Sequence, residues 1–291
     1  MEATKLEYPK APIKLIGLDL DGTVFDDKKR ISERTKNAIK EAIKQGVVVI
    51  PATGRPVAGV PEEFANIEGV TYALTANGAA IYNIKTNECI YRDSISTELV
   101  CEVIEKLQKY DVMVDVFIDG TGYIESDMLL KKDDYILSEG IRKYIMKTRK
   151  TVSNLVEYIR TGHYLVEKIT VNFKMDAETK ELFYKEEVME IMEAYPQLVC
   201  VSGVPTNLEI TMATAHKGNG MIKLGEFLGI KREEIMACGD SENDKEMIIA
   251  CGFGVAMENA TDDVKEVANY ITSSNEEDGV AKVIEKFVLK K

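Results

Sequence analysis

Short apolar runs alternate with amphipathic helical stretches at both ends of this 291-residue chain, and the alternation breaks down in its middle. Residues 13–18 form an apolar run that reads as a buried strand. Ser32 can cap a helix whose Ala38, Ile39, Ala42 and Ile43 share one face; Gln45 and Gly46 close it, and residues 47–50 are the next β-branched run. With residues 72–75 this gives strand, helix, strand, helix, strand, an order that implies right-handed crossovers and a parallel sheet covered by helices. After residues 208–211 the order returns, with helices at 221–228 and 245–250 and strands at 235–238 and 253–256. A last amphipathic helix carries Val280, Val283, Ile284 and Phe287.

The middle reads differently. Residues 79–82 and 89–91 flank a polar turn and predict a hairpin, followed by a helix over about 98–109. Strand patterns stand at 112–117 and 168–173, separated by a mostly helical stretch, and Leu182, Met189 and Met192 mark one face of a further helix. The expectation is a Rossmann-like, doubly wound α/β core made of residues 1–82 and 206–291. An α+β insert over 83–205 splits it, with crossings near 82–85 and 204–208.

The formal charge of −12 opposes nucleic acid and anionic membranes, and Lys28-Lys29-Arg30 is too short a basic run to reverse that. No stretch approaches the roughly 18 apolar residues of a membrane span. Five cysteines, an odd number with no Cys-x-x-Cys pair, read as free thiols in a reducing compartment, so the expected location is cytoplasmic. An acidic chain binds an anion only where a cation, a lysine or main-chain N–H groups reverse the local field.

Candidate sites of that kind stand at the ends of the expected strands. Asp19-Leu20-Asp21-Gly22-Thr23 follows the first, and two carboxylates one residue apart can face one ion there, although a polar turn is the plainer alternative. Thr53-Gly54 follows the second and offers a hydroxyl and an open N–H; Asn77-Gly78 follows the third; either can be an ordinary turn. Lys217, at a helix start, can neutralise a carboxylate and a phosphate together or simply lie on the surface. Asp240 and Asp244 lie one helical turn apart and can address one cation or cap a helix. Together they suit magnesium, which takes few protein ligands and shares phosphate oxygens with a substrate.

These segments, with Ala52-Thr53-Gly54-Arg55, Asn77-Gly78-Ala79, Lys217-Gly218 and Gly239-Asp240-Ser241-Glu242-Asn243-Asp244, resemble the haloacid dehalogenase superfamily, and within it the Cof-type phosphatases with an inserted α/β cap. Glu258 stands where that pattern commonly has glycine. The resemblance implies a phosphatase with Asp19 as nucleophile and Asp21 as general acid and base. Asp19, the Asp21 main-chain carbonyl and Asp240 would hold Mg2+, and Asp244 would orient its neighbours. The N–H groups of Leu20 and Gly54, with Thr53, Lys217 and Asn243, would bind phosphate. The implied partner is a small phosphorylated metabolite such as a sugar phosphate or phosphorylated cofactor, with no nucleic acid and no membrane, for a monomer or weak homo-oligomer. Two other functions are compatible: a phosphomutase of the phosphomannomutase type, and a non-catalytic metabolite-binding protein on the same scaffold. His216 is expected to make local contacts beside Lys217, and His163 to lie on the surface.

Overall fold

The computed structural model describes residues 8–202 and 206–291. It divides into two compact units. Among the described residues the first holds 8–54, 60–91 and 216–291; the second holds 55–59, 92–202 and 206–215.

In the first unit β1 (Leu15–Leu18) is buried at every position, as a strand covered on both faces must be. The helix Glu33–Lys44 starts where Ser32 Oγ accepts the Thr35 N–H at 3.0 Å. Its chain reverses at Gly46, whose φ of 87° suits a residue without Cβ. β2 (Val48–Pro51) then runs parallel to β1. β3 (Tyr72–Thr75), β4 (Ala80–Asn83) and β5 (Glu88–Arg92) form a three-stranded sheet of their own, and β3 reaches the main sheet through a parallel bridge from Leu74 to Ala52. The expected hairpin is there, but the third strand heads this small sheet and does not widen the parallel one.

The second unit is a six-stranded sheet. Its strands are β6 (Val112–Ile118), β7 (Thr121–Glu125), β8 (Arg149–Val152), β9 (Lys168–Phe173), β10 (Leu198–Val201) and β11 (Asn207–Met212), in the order β10-β11-β9-β6-β7-β8. One face packs Val114, Val116, Ile169, Val171 and Ile210 with apolar residues of the helices Thr97–Leu107 and Leu155–Gly162. Three sequence expectations are corrected here. The run 208–211 does not resume the core: it lies in β11, which pairs antiparallel with β9. The stretch between β6 and β9 holds two strands, β7 and β8, as well as helices. In the helix Lys185–Glu193, Met192 is buried and Met189 exposed, so the two do not share a face, and Leu182 precedes the helix. The units therefore change at Tyr91 and Ala215, beyond the expected limits of 82 and 205. The second expected limit falls on residues 203–205, outside the described residues.

Back in the first unit, β12 (Ile235–Gly239), β13 (Phe253–Ala256) and β14 (Tyr270–Ile271) complete a five-stranded sheet, all parallel, in the order β14-β13-β12-β1-β2. The carboxyl ends of β1 and β12 are thus neighbours at the middle of the sheet, where ligands of open parallel sheets bind. The helix Gly279–Ile284 places Val280 and Ile284 in the same core as Ala38 and Ile39, and a short helical segment, Glu285–Leu289, follows it.

Candidate active site

Asp19 is the first residue beyond β1. Its N–H donates to the Cys238 carbonyl at 3.0 Å, so the main-chain ladder with β12 holds it in place. The chain then turns sharply: the Leu20 carbonyl accepts the N–H groups of Val24 and Phe25 at 3.0 and 2.9 Å. Gly22 stands at φ 85°, and a Cβ on it would run into the Asp240 carboxylate. That close approach is why the motif needs glycine there.

Two carboxylates grip one ammonium, and a third stands close beside them. Lys217 Nζ lies 2.7 Å from Asp19 Oδ1 and 2.7 Å from Asp244 Oδ1, and Lys217 is fully buried. Oxygens of Asp19, Asp240 and Asp244 lie within 4.8 Å of one another. Asp244 is heavily engaged: its other oxygen accepts the N–H groups of Asp240 and Ser241 at 3.0 and 3.1 Å. Asp240 accepts the Thr23 hydroxyl at 2.7 Å through Oδ1.

The electrostatics follow from this crowding. Burial, and then the neighbouring Asp244, push the Asp19 carboxyl well above the usual carboxylate range, against the pull of Lys217. Burial likewise lifts Asp240 to about 6, partly offset by the Thr23 hydroxyl. Burial alone would lower the Lys217 ammonium, but Asp19 and Asp244 hold it above its ordinary value. Three potential anions against one cation leave two units of negative charge unmet, which fits a divalent cation held by hard carboxylate oxygens.

The other expected residues are distributed as follows. Asp21 is exposed, with Lys29 Nζ at 2.8 Å from its Oδ1. Thr53 and Gly54 follow the end of β2, beside β1. The Thr53 N–H donates to Leu74 and its carbonyl accepts the Asn77 N–H at 3.1 Å. Asn243 Nδ2 lies 3.5 Å from Asn77 Oδ1, and its own Oδ1 accepts the Ser241 hydroxyl at 3.0 Å. His216 caps the helix Lys217–Leu228, its Nδ1 accepting the Asn219 N–H at 3.2 Å, and His163 is exposed.

Three features of the site are not read directly from the sequence. Thr23 sits inside the first acidic motif, yet nothing in its spacing shows that it grips Asp240. Ala76, Asn77 and Gly78 all have positive φ, and a Cβ on Gly78 would strike the His216 main chain. This strained turn fits closely against the residue before Lys217, and Asn-Gly was its sequence signal. Lys29, read as part of a solvated loop, proves to pair with Asp21.

A family model described as haloacid dehalogenase-like hydrolase matches residues 16–284. The 5-amino-6-(5-phospho-D-ribitylamino)uracil phosphatase YcsE of Bacillus subtilis is 32% identical over 277 residues, covering 95% of this chain and 96% of that protein. A solved haloacid dehalogenase-like hydrolase from Bacteroides thetaiotaomicron is similar in structure with a TM-score of 0.77 at 28% identity, covering 94% of this chain and 99% of its own. The structure of the subclass IIB sugar phosphatase BT4131 has a TM-score of 0.75 at 25% identity, covering 94% and 98%. No helix among the described residues is long and apolar enough to cross a membrane.

Proposed function

We propose, on the premise that the chain belongs to the haloacid dehalogenase-like hydrolases and is a phosphatase of the Cof type, that it hydrolyses small phosphorylated metabolites through an aspartyl-phosphate on Asp19. The observation that carries this reading is the buried Lys217 ammonium, 2.7 Å from both Asp19 and Asp244, with Asp240 completing an acidic cluster two charges short of balance. The names of YcsE and of the sugar phosphatase BT4131 put a phosphorylated ribitylaminouracil and sugar phosphates first among candidates.

In this reading Asp19 attacks phosphorus as a carboxylate. The ester P–O bond breaks, and the departing oxygen takes a proton from Asp21. Asp21 then takes a proton from water, whose oxygen attacks phosphorus, restoring Asp19 and releasing inorganic phosphate. Mg2+, held by Asp19, the Asp21 carbonyl and Asp240, would supply positive charge that offsets the repulsion between carboxylate and phosphoryl oxygens. Lys217, Thr53, Asn243 and the N–H groups of Leu20 and Gly54 bind those oxygens as their charge grows. Asp244 fixes Lys217 and the Asp240 loop rather than touching the cation, since both its oxygens are engaged. In the same reading the insert supplies the residues that select the leaving group.

Two tests follow. Chelation should abolish turnover of p-nitrophenyl phosphate, and Mg2+ should restore it. Independently of turnover, saturating Mg2+ at about 100 Kd should stabilise the folded protein by about 2.7 kcal/mol, and Asp240→Asn should lose most of that gain. A metal-indifferent melting curve would remove the cation from the scheme. Asp21→Asn should cut turnover of alkyl phosphates by about 10²–10⁴-fold and that of an aryl ester much less, because a phenolate leaves without protonation. Equal losses on both esters would assign Asp21 some other task.

A further inference from the structure

A loop outside the catalytic scheme is bonded to both acidic motifs of the first unit. Residues 257–261 follow β13. The Met257 N–H donates to the Gly239 carbonyl at 3.1 Å, and the Thr261 N–H to the Asp240 carbonyl at 3.1 Å. Midway along the same loop, Asn259 Nδ2 donates to the Gly22 carbonyl at 2.8 Å. One loop thus holds the end of β12 and the turn that follows β1.

The Asn259 amide is fixed at both ends. Its Oδ1 accepts the Asn275 N–H at 3.1 Å, which leaves the NH2 end to face Gly22. Asn275 Nδ2 in turn donates to the Phe25 carbonyl at 2.9 Å, so two amides grip the turn, at Gly22 and at Phe25. An asparagine that only shaped its own loop would accept the N–H two residues on. Here that N–H, of Thr261, goes to Asp240, and Asn259 bonds to Gly22 and Asn275 instead.

Gly22 is the joint that needs holding. It stands at φ 85°, and without a Cβ it moves readily to other backbone conformations. On one side of it is Asp21, whose main-chain carbonyl would take the cation; on the other is Thr23, whose hydroxyl fastens Asp240. A swing at Gly22 therefore changes the spacing between the Asp21 carbonyl and the Asp240 carboxylate.

We infer that Asn259 is a positioning residue for the cation site: by holding the Gly22 carbonyl it fixes that spacing before a divalent ion arrives. The inference rests on the phosphatase reading above, which supplies the cation and its ligands. Ordering the turn in advance raises affinity, because the ion no longer has to order it. Groups that hold the ligands of a metal are worth about 10–100-fold in metal affinity or activity. The fold itself asks little of Asn259, since the side chain is exposed and one such bond contributes about 0.5–1.5 kcal/mol.

The test titrates Mg2+ into wild type, Asn259→Ala, Asn259→Leu and the control Asn154→Ala, by calorimetry without substrate and by turnover of p-nitrophenyl phosphate. Asn154 is an exposed amide of the second unit that caps the helix Leu155–Gly162, accepting the Glu157 N–H at 2.8 Å. The Kd for Mg2+ should rise about 10–100-fold in the Asn259 variants and stay within about twofold in Asn154→Ala, although each change removes one side chain's hydrogen bonds. The Mg2+ concentration for half-maximal turnover should rise by the same factor. At saturating Mg2+, kcat should stay within about threefold of wild type, because the bound ion then orders the turn. A folded Asn259 variant that binds Mg2+ as tightly as wild type would overturn the clamp. So would an equal loss in Asn154→Ala, which would make the effect one of general stability. If neither Asn259 variant folds, Asn275→Ala carries the test: it keeps the main-chain bond to Asn259, loses the one to Phe25 and should weaken Mg2+ by about 2- to 10-fold, and no change there would overturn the proposal. Wild type that binds Mg2+ without cleaving the aryl ester would sink the phosphatase reading and leave the clamp, read from calorimetry, in place. Wild type that binds no Mg2+ would overturn the clamp.

Discussion

Asp19→Asn is expected to give a folded protein whose turnover falls by at least about 10⁴-fold, because an amide neither attacks phosphorus nor holds a hard cation as a carboxylate does. The fold should survive. The main-chain bond from Asp19 to Cys238 does not involve the side chain, and Lys217 keeps its 2.7 Å contact with Asp244. Stability in the absence of metal should even hold or increase. Burial and Asp244 already hold the Asp19 carboxyl above its ordinary range, so removing its charge relieves a crowd of three carboxylates around one ammonium. A rapid acid quench of wild type during turnover should trap protein heavier by one phosphoryl group, and the variant should show none. A folded Asp19→Asn protein that turns over at a substantial rate, or that still acquires the phosphoryl group, would end the nucleophile assignment.

How much of the molecule is legible in its sequence differs between the two units for a physical reason. Strands of a parallel sheet are buried on both faces, so β1, β12 and β13 stand out as apolar runs with sharp ends. Chemistry gathers at those ends, which makes the acidic segments after Leu18 and Gly239 readable as a site. The insert offers no such signal. β7 begins Thr121-Gly122 and β8 begins Arg149-Lys150, weak strand sequences held by register with their neighbours. A Cβ on Gly122 would strike the Arg149 side chain, so the glycine makes room for a buried guanidinium, a relation visible only in three dimensions. The run 208–211 is recognisable as a strand, but alternation alone does not say which sheet receives it, and that moves the boundary from 205 to Ala215. Within the site, residue types predict which carboxylates matter. The charge deficit, and the Thr23 and Asn77 contacts, need the fold.

Lys217→Met tests the charge balance from the opposite side to Asp19→Asn. The ammonium is fully buried between two carboxylates, and removing one partner of a buried ionic cluster leaves uncompensated charge, at a cost of about 3–5 kcal/mol. Denaturant unfolding without metal should show a loss of that order. Mg2+ should recover part of it, since Asp19 and Asp240 would still offer oxygens to a cation. Turnover should not recover alongside. With the metal bound, the transferring phosphoryl group still lacks the donor that Lys217 supplies, and loss of one such donor costs about 10²–10³-fold. The helix Lys217–Leu228 should remain, because its cap is His216 and the tight contact at Gly78 is with main chain. The informative readout is therefore the split: stability rescued by Mg2+, turnover not. A variant as stable as wild type without metal, losing less than about tenfold in turnover, would show that Lys217 neither balances the cluster nor meets the phosphate.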